Sequence, residues 1–133
     1  MSIRIKPKSF GPVFVSIDAA RNVRYGLNAN AVDQATPPAA TPAECLLSAL
    51  GSCIAISLQM AAEQQHLVLA PFQVEVSSKK AEDLPIRFGS FEVIVSRGIT
   101  DDAEDCEKLL RKVKDICTVS NTLNAAITLK LSE

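Results

Sequence analysis

Thr41-Pro42-Ala43-Glu44-Cys45-Leu46-Leu47-Ser48-Ala49-Leu50-Gly51-Ser52-Cys53-Ile54-Ala55-Ile56-Ser57-Leu58 is the most apolar stretch of the chain, and its reading decides the fold. Thr41 is a good N-cap, proline suits the first helical position, and Glu44 follows the cap by three residues, which makes a capping box. The spacing predicts a helix from Pro42 to about Gln65. Nearly every side of it is apolar as far as Leu58, so most faces are buried. Gly51 falls in mid-helix, where glycine costs roughly 1 kcal/mol against alanine; close approach of another backbone would justify it. Glu44, Ser48, Gly51, Ser52, Ser57 and Gln59 make the run too polar for a membrane span and suit a buried core helix.

Outward from this helix the chain alternates between strand and turn patterns. Val13 to Ile17 and Val23 to Leu27 are β-branched or alternating segments around an Asp18 to Asn22 turn, a predicted hairpin. Asn28 to Thr41 reads as loop, because Pro37 and Pro38 forbid helix. Phe72 to Ser77 and Phe91 to Ser96 are strands, joined by a charged connection from Lys79 to Gly89 that contains Pro85. Thr100 or Asp101 is the expected cap of a second helix. Asp101, Asp102, Glu104 and Asp105 crowd its start and Lys108, Arg111, Lys112 and Lys114 its end, as the helix dipole favours. Cys106, Leu110, Val113 and Cys117 fall on one stripe. Ala126 to Leu131 closes the chain as a strand. Antiparallel strand pairs with helices on one face make an α+β fold in a single domain over residues 1–133. So apolar a central helix in so small a chain needs more cover than one subunit offers, so a homodimer sharing this core is expected.

The 133 residues suffice for one domain with a real core, and 47% hydrophobic with 22% charged residues makes the chain globular rather than disordered. With 14 basic and 15 acidic residues the net charge is −1, which gives no basic excess to steer the chain to nucleic acid. Met1 to Lys8 lacks the apolar core of a signal peptide. The expected compartment is the cytoplasm, where the 4 cysteines stay reduced or pair reversibly.

Cys45, Cys53, Cys106, Cys117 and the single histidine, His66, contain no C-x-x-C and no H-x-x-x-H pattern, so no metal is expected. His66 at the helix end answers the helix dipole or solvent. Glycine-rich phosphate loops and G-x-S-x-G are absent from the sequence. That leaves the thiols. A reactive cysteine needs a basic neighbour or a helix N-terminus, and Cys53 lies about three turns into its helix, too deep for dipole help. An arginine held by a carboxylate would serve. Glu44 precedes Cys53 by nine residues, which at about 100° per residue puts the two on opposite sides of a straight helix. It is either the capping-box carboxylate or a contact at the mouth of a pocket. Cys45 and Cys106 have no neighbour that recommends them and read as small buried hydrophobes.

Pro42-Ala43-Glu44-Cys45-Leu46-Leu47-Ser48-Ala49-Leu50-Gly51-Ser52-Cys53 resembles the P-x-E-L-L-L-x-A-L-x-x-C helix of OsmC/Ohr-like proteins. Cys117-Thr118-Val119-Ser120-Asn121-Thr122-Leu123 resembles their C-P-V-S-x-T-L segment, and the order of elements from Val13 onward agrees. The resemblance implies an OsmC-like fold with antiparallel sheets and a long buried central helix, in an intertwined homodimer with sites at the interface. It also implies a cysteine-based peroxidase acting on organic hydroperoxides in oxidative stress defence. Cys53 would be the peroxidatic thiol and Cys117 the resolving thiol, with Glu44 at the site. No bound cofactor is implied; an external dithiol of the lipoyl type would be the reductant.

The chain departs from that pattern in three places. The peroxidases carry a glutamate directly after the proline, paired with an arginine, where this chain has Ala43 and shifts the carboxylate to Glu44. Their arginine precedes the first hairpin strand, where this chain reads Lys8-Ser9-Phe10-Gly11-Pro12. Lys8, Arg24 and Arg87 are the candidate substitutes. Thr118 replaces the proline after the second cysteine. The alternative reading is a non-catalytic OsmC-like domain that binds a small apolar or acyl ligand at the dimer interface.

Overall fold

The computed structural model describes residues 5–38 and 41–132. Met1 to Arg4 of the amino-terminal octapeptide, Ala39 and Ala40 of the proline-containing loop, and Glu133 lie outside the described residues. The elements in order are β1 (Ser9–Ile17), β2 (Val23–Gly26), α1 (Pro42–Gln64), β3 (Phe72–Lys80), β4 (Phe88–Val95), α2 (Ala103–Ile116), α3 (Thr118–Thr122) and β5 (Ala126–Leu131). The strands form one sheet in the order β2-β1-β3-β4-β5, and α1 crosses one face of it, packed against β1 and β3.

Periodicity explains the sheet. In β3, Phe72, Val74, Val76 and Ser78 point inward and are buried while the residues between them are not. That is the period-two alternation of a sheet with one face on a core. Both β3 and β4 run further toward their shared turn than the alternation predicts, Lys79 pairing with Ser90 and Lys80 with Phe88. Asp18 closes the β1–β2 turn with its own carboxylate, which accepts from the backbone N–H of Ala20 at 3.0 Å and of Asn22 at 2.9 Å. The Asn22 N–H is the main reason that the Asp18 carboxyl titrates below its ordinary range. In β1 the register shifts between Phe10 and Val13, at Gly11, whose φ is +86° and where a Cβ would stand 2.8 Å from the Val76 carbonyl oxygen; only glycine takes both.

One pairing differs from the expectation of antiparallel pairs. β5 lies beside β4 in parallel, with Phe91 opposite Ile127 and Val93 opposite Leu129. Parallel neighbours need a crossover of a dozen or more residues, and α2 with α3 supplies it. Alternation within β5 says which side chains point inward but not which way the strand runs.

The start of α1 falls at Pro42 as predicted and its end at Gln64. The capping box takes a different form: Thr41 accepts nothing from the helix backbone, and its hydroxyl donates to the Glu44 carboxylate instead. At the other end His66, with φ 58°, occupies the position that usually holds glycine. Its N–H donates to Glu63 O at 3.2 Å and the Leu67 N–H to Ala62 O at 2.9 Å, the two bonds of a Schellman cap. Leu47, Leu50, Ile54 and Leu58 are fully buried, each contributing roughly 1.5–3 kcal/mol by leaving water. At Gly51 an added Cβ would meet Val15 Cγ2 at 2.8 Å and Val76 Cγ2 at 3.0 Å. The glycine thus lets the helix settle onto the side chains of β1 and β3, rather than onto another backbone. α1 is long and apolar enough to cross a membrane, yet 56% of the relevant window is buried inside this fold; it is the core helix.

α2 is capped by Asp102, whose carboxylate accepts from the Glu104 N–H at 2.8 Å, one or two residues later than Thr100 or Asp101. Thr100 instead accepts from the Asp102 N–H and lies 3.2 Å from Cys106 Sγ. The buried stripe of α2 is Cys106, Leu109 and Val113, continued by Cys117, while Leu110 sits at its margin, half-buried.

Candidate functional site

Cys53 and Cys117 are neighbours. α1 carries Cys53 and Ser57 one turn apart, and both side chains meet Cys117, which ends α2 where the chain turns into α3. Cys117 is fully buried and Cys53 half-buried. All four cysteines are free thiols.

The Cys117 thiol is pushed up from an ordinary 9.0 to about 11. Burial is the main cause, because it disfavours the thiolate. The Cys53 thiol beside it adds to the rise, while the Ser120 N–H and the Ser57 hydroxyl act the other way. Cys117 therefore stays a neutral thiol well into the alkaline range. Ser57 belongs to no motif, and its signal in the sequence is only that of a serine four residues after Cys53 inside an apolar helix. It is 4% exposed, in a position where a hydroxyl needs a partner.

The remaining candidates lie elsewhere. Glu44 sits near the first turn of α1, about 13 Å along the axis from Cys53 and on the opposite side of the helix, partnered by Thr41. Arg24 Nε lies 3.5 Å from the Asp18 carboxylate. Arg87 pairs with Asp83 at 2.9 Å and donates to the Pro85 carbonyl at 2.9 Å. Lys8 Nζ stands 5.1 Å above the Phe10 ring. Each of the three cations thus has a partner of its own. Cys45 is exposed, its Sγ 3.9 Å from Pro38 O, and Cys106 is buried against Thr100. Among the described residues, no three His, Cys, Asp or Glu side chains gather in a metal-holding group.

Cys53 stands at a seam. On one side is the packed interior; on the other runs the exposed stripe of α1, with Ala49, Ile56 and Met60. Ile56 and Met60 are 45% and 49% exposed, high values for large apolar side chains at the centre of a core helix. They open onto a cleft of roughly 520 Å³ between α1, the β1–β2 hairpin and the Leu67–Leu69 segment. Arg21 spans one wall of this cleft, its guanidinium donating to the Leu69 carbonyl.

This architecture has close counterparts among solved structures. An organic hydroperoxide resistance protein OsmC from Legionella pneumophila superposes with a TM-score of 0.61 over 100% of this chain and 98% of that one, at 18% identity. The organic hydroperoxide resistance protein OhrB of Bacillus subtilis gives 0.61 over 98% of each chain at 16% identity. An OsmC-like protein from Mycoplasma pneumoniae gives 0.63 over 99% and 98% at 11% identity. At such identities the likeness establishes the fold alone. No curated protein matches the sequence. The family model described as OsmC-like protein matches residues 34–132, a span that includes α1, both cysteines and the parallel strand β5, and the chain therefore belongs to the OsmC-like family.

Proposed function

We propose that the protein is a thiol-dependent peroxidase that reduces organic hydroperoxides, with Cys53 as peroxidatic and Cys117 as resolving thiol. The observation that carries this reading is the placement of the buried Cys117 thiol beside the half-buried Cys53 thiol. The Cys53 thiolate attacks the distal peroxide oxygen, the O–O bond breaks, and the alkoxide leaves as alcohol with a proton from solvent. Cys53 is then a sulfenic acid. The Cys117 sulfur attacks it, the S–O bond breaks, and the thiol proton leaves with the oxygen as water, giving a disulfide. An external dithiol such as a lipoyl group reduces that bond and becomes a cyclic disulfide itself.

The active form in this reading is a homodimer. Cys53 adjoins an exposed apolar stripe, and a second chain seated on Ala49, Ile56 and Met60 would close the site. Lys8, Arg24 or Arg87, each engaged elsewhere in its own chain, or Glu44, would then have to approach Cys53 across that interface. The reducing cytoplasm suits reversible pairing of the thiols.

One equivalent of cumene hydroperoxide, followed by differential alkylation and mass spectrometry, tests the chemistry. A fast disulfide between Cys53 and Cys117 is expected; two unmodified thiols in the folded protein would sink it. The second reading, an OsmC-like domain that binds a small apolar or acyl ligand, draws on the cleft beside Ile56 and Met60. It is favoured if Cys53→Ala changes nothing but such a ligand still binds.

A further inference from the structure

The helix-side face of β5 is an incompletely covered apolar surface. Ile127, Leu129 and Leu131 point to the helix side yet stay half-exposed, because α2 packs on α1 and α3 rather than down onto β5. A groove of roughly 380 Å³ remains between α2 and the sheet edge, floored by Leu110, Leu129 and Leu131. It continues past Lys114 and Leu129 into a second hollow of roughly 190 Å³ lined by Ile54, Ala125 and Ile127.

The rim of the groove is basic. Arg97, Arg111 and Lys114 line it, against one carboxylate, Glu107. Lys130 borders the groove from β5, but it alternates with Leu129 and Leu131 and so carries its ammonium to the opposite face of the sheet, where it pairs with Glu92 at 3.4 Å. That is three cations to one anion in a chain whose net charge is −1. The α2 side chains at the rim repeat at Glu107, Arg111 and Lys114, the three- and four-residue spacing of one helix face. Cations clustered around an apolar slot suit a ligand with an anionic head and an alkyl tail. A nucleotide is a poorer fit, because no aromatic side chain lines the groove as a stacking platform.

We propose that this α2–β5 groove binds a free single-chain anionic amphiphile, its carboxylate-type head on Arg111, Lys114 and Arg97 and its alkyl chain over Leu129 toward Ile127. Neither Cys53 nor Cys117 lines the groove, although the inner hollow reaches Ser120, whose N–H meets Cys117; binding there does not depend on peroxide chemistry.

Calorimetric titration of the full chain with decanoate, below its micelle concentration, tests this. One saturable site per chain is expected, tightening about fourfold for each methylene added from octanoate to decanoate. Decanol and inorganic phosphate should each bind at least tenfold more weakly. Arg111→Glu with Lys114→Glu should weaken decanoate at least tenfold, whereas Lys112→Glu, on the same helix but off the groove, should not. Hydrogen exchange should slow in α2 and β5 on binding. The proposal is overturned if the double charge reversal leaves affinity unchanged, or if protection appears at Ile56 and Met60 instead. It is equally overturned if the protein binds phosphatidylglycerol vesicles but no free decanoate. Protection of α2 and β5 that rises with protein concentration alone would assign the groove to a second copy of the chain and also refute it.

Discussion

The two sides of α1 are built on different terms. Toward the sheet it presents Leu47, Gly51, Ile54 and Leu58, all buried, with a glycine where side chains of β1 and β3 come closest. Away from the sheet it presents Ala49, Ile56 and Met60, apolar and exposed. The first side is finished by the chain itself; the second is not. Cys53 lies between them, so the same helix that fixes the fold also leaves the thiol at an unfinished surface. The fold and the site thus make separable demands on one element, and substitutions can address them one at a time.

The largest expected effect is chemical. Cys53→Ser should lower hydroperoxide turnover by about 10³-fold or more, since a serine hydroxyl is a far weaker nucleophile than a thiolate. Its unfolding midpoint should stay close to that of the parent. Turnover that survives in this variant, measured with a coupled dithiol assay, would break the assignment of the seam as the site.

The outward side comes next. Ile56→Asp with Met60→Asp places two charges on the exposed stripe, and charges left unpaired in an interface cost several kcal/mol. Sedimentation should show association of the proposed homodimer weakened about 100-fold or more, with circular dichroism unchanged. A dimer that persists in the double variant would place the interface elsewhere. On the inward side, Gly51→Val should destabilise the fold by about 1–3 kcal/mol through overpacking against Val15 and Val76, as read by urea unfolding. Oligomeric affinity should move little. If Gly51→Val alters association more than stability, the two sides are not independent.

Much of this was legible in residues and spacing. Thr41 and Pro42 marked where α1 begins, alternation marked β3 and β5, and clustered charges marked the ends of α2. The parallel placement of β5 was not legible, because pleat alternation is blind to strand direction. Neither was α3, whose Thr118-Val119-Ser120-Asn121-Thr122 is rich in β-branched residues that lower helix propensity and is held as a helix by its tertiary setting. Asp102 won the cap of α2 over Thr100 and Asp101 because its carboxylate reaches the Glu104 N–H, a choice that depends on backbone direction. For the site, periodicity put Cys53 and Cys117 on helices but said nothing of their meeting; that expectation came from the family resemblance. The basic groove escaped because Arg97, Arg111 and Leu129 are distant in sequence and become neighbours only through the parallel crossover.

Smallest in effect, but closest to the mechanism, is the titration of Cys117. Its folded value near 11 lies above the ordinary 9.0, so the native thiol stays neutral where an unfolded one ionises. The resulting contribution to stability is fully present below pH 9 and is lost as pH rises from about 9 to about 11, because there the unfolded state releases its proton first. Unfolding free energy measured across that window should fall in the parent and fall less in Cys117→Ala. Ser57 opposes the shift as the smallest of its causes, so Ser57→Ala should move the thiol slightly further upward. The attack of Cys117 on oxidised Cys53 should slow by roughly twofold at fixed pH, while the preceding peroxide step changes little. Stopped-flow separation of the two phases reads this directly. Equal slowing of both phases would mean that Ser57 serves Cys53 as much as Cys117; no slowing of either would reduce it to a packing residue on the inward side of the helix.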